Sequence, residues 1–401
     1  MTPGTRRRAI TPRTRRRAMT PETRAAARLM LAGASATFLG VGMQRFAYSL
    51  LLPAMIGANW LGPGAAGALG AANLGGYLVG ALLGPLLGQR LGLIAALRAS
   101  MLLAAACFAL CAVKGGFLWF LVWRILAGAA GGTLMVLAGP AVQAAIAPRW
   151  RGLAAGLTFT GVGSGIVFGA LVVPFLLRDG LAATWLALAM AGLFVTAAAW
   201  RLWPATAPVA RRSLFAGLRH PASLRLIAAY AMAAIAATPH MLWWPDFITR
   251  GLARGSAAGS AFWLLFGVSA AAGPALCGRL ADLLGLRRAL ALALLAQVID
   301  TALPLLWHAS GALAVSTILA GATATGVSGL FLLRTRSVGG EAAPALWSLA
   351  TAAYGAAQTA IGFLLAWLYA TTGSHLPLFA IGLAGAVLTL PLADVTPRRK
   401  I

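Results

Sequence analysis

Four ionisable side chains stand inside otherwise apolar runs of the sequence: Arg45, Arg124, His240 and Asp300. An ionised group at the middle of a bilayer costs at least ~2.5–3.5 kcal/mol, so such residues are the first candidates for binding or ion traffic. A guanidinium offers a planar fork of N–H donors that fits a carboxylate or similar anion through paired hydrogen bonds. Histidine changes charge near neutral pH, and a carboxyl taken out of water can hold a proton, which makes His240 and Asp300 candidates for proton coupling. His240 also counts with the substrate-binding set. The plainer alternative is that the arginines satisfy buried carbonyls, or pair with Asp300, for structure alone. Gln44, Tyr48, Asn73, Tyr77, Tyr354 and Gln358 are the polar residues a pathway would use, although a polar residue in a membrane helix often bonds only its neighbour. Asp246 is expected at a solvated rim.

The elements that must carry these residues are set by composition. The chain has 401 residues, 60% hydrophobic and 10% charged, against roughly 25% charged in soluble domains. Apolar stretches bounded by Gly, Pro or Arg fall at about 29–56, 64–88, 95–113, 117–146, 152–177 and 181–203, then 225–248, 257–281, 288–308, 311–333, 344–370 and 376–393. Each is long enough to span hydrocarbon as a helix, which predicts an all-α membrane protein of twelve crossings. Lys and Arg divide 26 to one side and 4 (Lys114, Arg178, Arg250, Arg254) to the other, with Arg45 and Arg124 inside spans. The positive-inside rule then puts both termini in the cytoplasm, in a bacterial inner membrane. Tryptophans such as Trp60, Trp119, Trp307 and Trp367 fall near the outer ends, and Trp150, Trp200 and Trp347 near the inner ones, as an interfacial belt requires.

The amino-terminal stretch 1–28 repeats Thr-Pro and arginine in nine-residue units and is expected to be a disordered cytoplasmic tail. The apolar run behind it is too long for a cleaved signal peptide, so it stays as the first span. Met19 is an alternative start. The expected layout is one bundle at 29–203, a cytoplasmic linker at 204–224, a second bundle at 225–393 and a short tail at 394–401. The halves repeat at an offset near 194, as in Gly84 and Gly278, Leu86 and Leu280, Phe117 and Gly311, and Gly161 and Gly355. Two matched bundles suit rocking about a site held between them. Glycines four apart, Gly76, Gly80, Gly84 and Gly88, then Gly128 and Gly132, then Gly161, Gly165 and Gly169, predict close helix crossings or sliding seams.

Other chemistry is disfavoured. The net charge of +25 comes with no basic run interleaved with aromatics, so nucleic acid is not expected as a partner. No Walker-type loop, metal-ligand cluster or Ser-His-Asp set is present, so no cofactor, no metal and no enzyme activity are expected. Cys107, Cys111 and Cys277 lie in apolar runs and read as packing residues.

The run Gly278-Arg279-Leu280-Ala281-Asp282-Leu283-Leu284-Gly285-Leu286-Arg287-Arg288 resembles the loop signature of the major facilitator superfamily at every defining position. The first-half copy is eroded, with Gly88 where Asp282 stands. Arg124-Ile125-Leu126-Ala127-Gly128 is similar to the superfamily's fourth-helix arginine motif. Gly40 to Tyr48, ending in Leu51-Leu52-Pro53, looks like the first helix of the YbfB/YjiJ-like branch. The resemblance covers about Leu29 to Leu392. It implies two six-helix bundles related by a pseudo-two-fold axis, with spans one, four, seven and ten around a central cavity. It also implies a conformational-switch loop at Gly278, Asp282, Gly285, Arg287 and Arg288, and a permease sufficient as a monomer. On that basis Arg45, Arg124, Gln44, Tyr48, His240, Tyr354 and Gln358 are expected to bind a small-molecule substrate, a small organic anion moved by alternating access. Asp300 and His240 are expected to couple it to protons. Efflux of amphipathic or cationic drugs is the alternative, disfavoured because Ile166 follows Gly161-Val162-Gly163-Ser164-Gly165, where the superfamily's antiporters carry proline. A non-transporting sensor or scaffold in the lipid bilayer is the third reading.

Overall fold

The computed structural model describes residues 20–204 and 221–393, and among them every regular element is helical. The first crossing is built from α1 (Pro21–Thr37), a π-helical segment (Phe38–Met43) and α2 (Gln44–Gly57), stacked end to end. One helix per crossing follows: α3 (Pro63–Leu91), α4 (Leu93–Leu110), α5 (Gly116–Ala145), α6 (Arg151–Leu176) and α7 (Leu181–Ala199). The second half contains α8 (Pro221–Asp246), α9 (Gly255–Leu284), α10 (Leu286–Leu306), α11 (Ser310–Gly339), α12 (Ala343–Thr372) and α13 (Leu376–Ala393). Eleven continuous helical stretches are long and apolar enough to cross a membrane, and the longest, Ser310–Thr372, contains both α11 and α12. The described residues therefore supply the twelve expected crossings.

Helix ends follow local chemistry. The Thr20 side chain accepts a hydrogen bond from the Thr23 amide, Pro21 takes the first helical position and Glu22 sits in the first turn. All three favour a helix amino terminus. The helix thus begins at Pro21 and takes in residues 21–28, which the sequence assigned to a disordered tail. Residues 1–19 and 394–401, and the linker stretch 205–220, lie outside the described residues. α8 begins at Pro221, ahead of the expected 225. The tight turns between α3 and α4 and between α9 and α10 rest on Gly92 (φ 84°) and Gly285 (φ 82°), a conformation that a Cβ disfavours. Gly285 is the glycine the loop signature requires, and Gly92 is its counterpart in the other half.

Two buried cores follow the two halves. One gathers residues such as Leu39, Phe108, Phe120 and Trp185 from the first half. The other centres on Tyr230, Trp244, Phe331 and Phe379 of the second half and takes in Phe46, Tyr77 and Phe159 from the first. Within the first bundle, α3 and α5 cross so closely that a Cβ on Gly76 or Gly80 would overlap the carbonyls of Ile125 or Ala129. One on Gly128 or Gly132 would overlap those of Asn73 or Tyr77. These glycines make a fixed crossing inside one bundle. Other glycines face the opposite bundle, among them Gly163 against Ala271, Gly267 against Ile166, Gly156 against Pro274 and Gly355 against Tyr77.

Candidate functional site

Arg45 is the first α-helical arginine after the π segment. A π turn holds one more residue than an α turn, which offsets the faces of the helix that follows. Gln44 and Tyr48 turn into the first bundle, while Arg45 points across the bundle interface, with Nη2 3.8 Å from Sδ of Met241 on α8. It is partly exposed although its neighbours Gln44, Phe46 and Met241 are buried. The phenols of Tyr77 (α3) and Tyr354 (α12) lie in its electrostatic field. Its guanidinium sits 5.4 Å from the Phe46 ring centroid, and its Nε is buried without a hydrogen-bond partner. Gln358, 0% exposed, brings its Nε2 to 3.3 Å from the same Met241 sulfur and 3.4 Å from the Tyr354 hydroxyl, and its Oε1 has no partner. Among the described residues no carboxylate reaches this group. The result is a mid-membrane cluster from four helices and both bundles, carrying one positive charge, two phenols and an amide.

Sequence reasoning placed Arg124 beside Arg45 as the second half of an anion clamp, with Gln44 and Tyr48 in the same pathway. The structure separates them. Arg124 is 1% exposed, donates from Nη1 to the Gln44 carbonyl at 2.8 Å and lies 4.2 Å over the Tyr48 ring centroid. Asn73 Nδ2 donates to the Arg124 carbonyl at 3.0 Å, the Tyr48 hydroxyl donates to the Ala66 carbonyl at 2.7 Å, and Gln44 Nε2 donates to the Ala104 carbonyl. These contacts tie α2, α3, α4 and α5 together inside one bundle. Arg124 thus spends one terminal nitrogen on a backbone carbonyl and its face on a tyrosine, inside the first bundle, while its Nε is buried without a partner.

His240 and Asp300 are brought together, though away from Arg45. Both are buried inside the second bundle, on α8 and α10, with His240 Nδ1 3.9 Å from Asp300 Oδ1. Ser316 Oγ donates to the Asp300 backbone carbonyl at 2.8 Å, so the same oxygen accepts from His240 Nε2–H at 2.9 Å. A neutral ring so bonded leaves Nδ1 as its unprotonated nitrogen, facing the Asp300 carboxyl. Thr323 Oγ1 donates to Asp300 Oδ2 at 3.2 Å, and the imidazole packs on Trp244 and Phe379. The cluster is a fully buried imidazole–carboxyl pair. Its link to the Arg45 group is α8 itself: His240 faces inward and the next residue, Met241, faces the interface.

In the signature loop between α9 and α10 Asp282 is exposed, and its Oδ1 lies beside Gly152 in the first turn of α6, across the bundle boundary. A carboxylate there complements the positive end of that helix. Asp246, expected as a solvated rim charge, ends α8 partly exposed and accepts hydrogen bonds from Arg250 and from His375 Nε2 at 2.8 Å. Sequence reasoning passed over Tyr230, Met241, Ser316 and Thr323. Tyr230 stacks on Phe331 and lies tilted against Tyr354, with centroids 4.7 and 4.6 Å apart. A tyrosine in an apolar span was the one signal available for it.

No curated protein matches the chain. Among solved structures it is similar to the human organic anion transporter MFSD10 (TETRAN), with a TM-score of 0.73 at 17% identity, covering 94% of this chain and all of that one. A likeness at that identity speaks for the fold, two six-helix bundles of the major facilitator type. The family model described as "Uncharacterised MFS-type transporter YbfB" matches residues 37–394, from the π segment to the end of the last helix. The chain belongs to that YbfB-type family of major facilitator superfamily transporters.

Proposed function

We propose that the protein carries a small organic anion across the bacterial inner membrane by alternating access, with Arg45 as its anchor and the His240–Asp300 pair as the proton-coupling site. The single observation behind the anion is the state of Arg45: a part-buried arginine at the bundle interface, its Nε without a partner and its guanidinium in contact with no acid among the described residues. A cation left so poor in partners is stabilised when an anionic ligand supplies them. The likeness in fold to an organic anion transporter is consistent with this and adds no residue-level support. Efflux of cations fits less well, because the membrane carboxyl, Asp300, is turned into the second bundle and engaged by Thr323 and His240. Both termini lie on the cytoplasmic side, from the 26-to-4 division of Lys and Arg. The carrier acts as a monomer in the bilayer, without cofactor, metal or covalent chemistry.

The test is a thermal-shift screen of the purified protein in detergent against small acids, amines and sugars at pH 6 and 8. Stabilisation by acids that disappears in Arg45→Gln is the expected result. Stabilisation by amphipathic cations, equal in both proteins, would overturn it.

A further inference from the structure

The group around Arg45 restricts the shape and charge of an anion as well as its sign. We propose that the site selects a singly charged aromatic carboxylate bearing a hydroxyl donor on its ring, an inference that rests on the anion reading above. Three features carry it. The first is the charge count. Arg45 is the one cation of the group, since Arg124 and His240 face into their own bundles, and no acid reaches it among the described residues. One guanidinium neutralises one carboxylate, so a dicarboxylate leaves an unpaired charge and an amino acid an unpaired ammonium.

The second feature is an aromatic wall. Tyr230 stacks on Phe331 and lies tilted against Tyr354 with centroids 4.6 Å apart, and Trp347 lies 5.7 Å from Tyr230. Tyr77 reaches across from the other bundle to the backbone of Gly355, where an added Cβ would come within 3.0 Å of its ring. Two phenols in the field of the guanidinium, Tyr77 from one bundle and Tyr354 from the other, suit a planar ring better than a flexible chain, because offset stacking adds to area burial. The third feature is the unused acceptor. Gln358 Oε1 is fully buried with no partner, and Arg45 Nε is an unused donor. Arg45 Nη2 and Gln358 Nε2 lie 3.8 and 3.3 Å from the same Met241 sulfur, so a single ring can place its carboxylate on one and a hydroxyl on the other. A site holding an unpaired buried acceptor discriminates for the ligand that fills it and against the analogue that does not.

Binding to the purified full-length protein, measured calorimetrically, tests this with 4-hydroxybenzoate, benzoate, cyclohexanecarboxylate, terephthalate, tyrosine and tyramine. The expected order has 4-hydroxybenzoate at least about tenfold tighter than benzoate, which is tighter than the non-aromatic acid. Terephthalate, tyrosine and tyramine bind weakest. In Gln358→Leu the margin between 4-hydroxybenzoate and benzoate closes, and in Arg45→Gln all the acids are lost. Equal affinity for benzoate, cyclohexanecarboxylate and terephthalate, still dependent on Arg45, overturns the ring-and-donor inference and leaves the anion reading standing. Binding led by tyramine, or no binding by any of the six, overturns both. The ligand series on the unaltered protein decides the matter even if a variant fails to fold.

Discussion

Arg45 and Arg124 bring the same guanidinium into the membrane, and their surroundings give opposite expectations for its removal. Arg124 holds the Gln44 carbonyl and covers Tyr48. Arg124→Gln strands that carbonyl and drops the cation–π contact, at a cost of about 2–4 kcal/mol. It should lower the melting temperature while leaving the residual ligand response intact. Arg45 has one hydrogen bond, to a thioether, and a distant ring contact with Phe46, so Arg45→Gln should leave the melting temperature unchanged or raise it, and abolish stabilisation by acids. Equal loss of stability in both variants would mean that Arg45 too is structural. The buried pair supports a second prediction. Asp300→Asn keeps the bulk and the contact with Thr323 but removes the exchangeable proton. In vesicles it should retain substrate exchange and lose accumulation driven by a pH gradient, whereas accumulation at the unaltered rate would remove Asp300 from coupling. At this scale the sequence identified which residues are ionisable where charge is expensive, because few charges occur in apolar runs. It did not reveal which of them meet. The family resemblance assigns Arg45 and Arg124 to one expected cavity, whereas the face each side chain takes is fixed by packing.

The π segment Phe38–Met43 is the element that separates those faces. It offsets α2 so that Gln44 and Tyr48 serve the first bundle and Arg45 serves the interface, and no periodicity count would register it, because the run is apolar throughout. Its own fit depends on small residues: Gly40 packs against Leu134 and Gly131, and Gly42 against Val162 and Gly165. The glycine ladders were legible as crossings from their four-residue spacing, but spacing alone did not say whether they slide. The crossing of α3 on α5 lies within one bundle, backbone against backbone. In the absence of a hydrophobic force between helices in lipid, this close approach holds the pair. Gly128→Leu should therefore prevent folding, read as loss of a monodisperse peak after detergent extraction. Gly278→Leu, at a position where an added Cβ meets nothing within 4 Å, should extract like the parent protein. If Gly128→Leu folds normally, the α3–α5 crossing is not fixed, and those glycines return to the set of possible sliding seams.

At the scale of the whole molecule, the twelve crossings and the duplication were readable because a bilayer imposes both span length and charge sidedness on the sequence. The way the bundles meet was not readable, since it depends on side chains far apart in the chain. They touch on both sides of Arg45. Toward the arginine-rich end, Phe159 packs edge-on against Trp347, and Leu332 lies 3.5 Å from where a Cβ on Gly139 would stand. Toward the opposite end, Phe46 meets Trp263, and Leu74 lies 3.4 Å from a Cβ position on Gly362. On the proposed alternating-access reading, a site closed from both sides is one state of a rocking cycle, and each of those contacts opens in turn for a solute to pass. Two cysteine pairs test this in a background with Cys107, Cys111 and Cys277 replaced by alanine: Gly139→Cys with Leu332→Cys, and Leu74→Cys with Gly362→Cys. Cross-linking either pair with a short reducible reagent should stop net transport in vesicles, and reduction should restore it. The cross-linked protein should still bind the acid if the ligand is already inside. Transport that continues at the full rate with one end locked would show that this end does not open, and continued transport with either end locked would leave no role for bundle rocking.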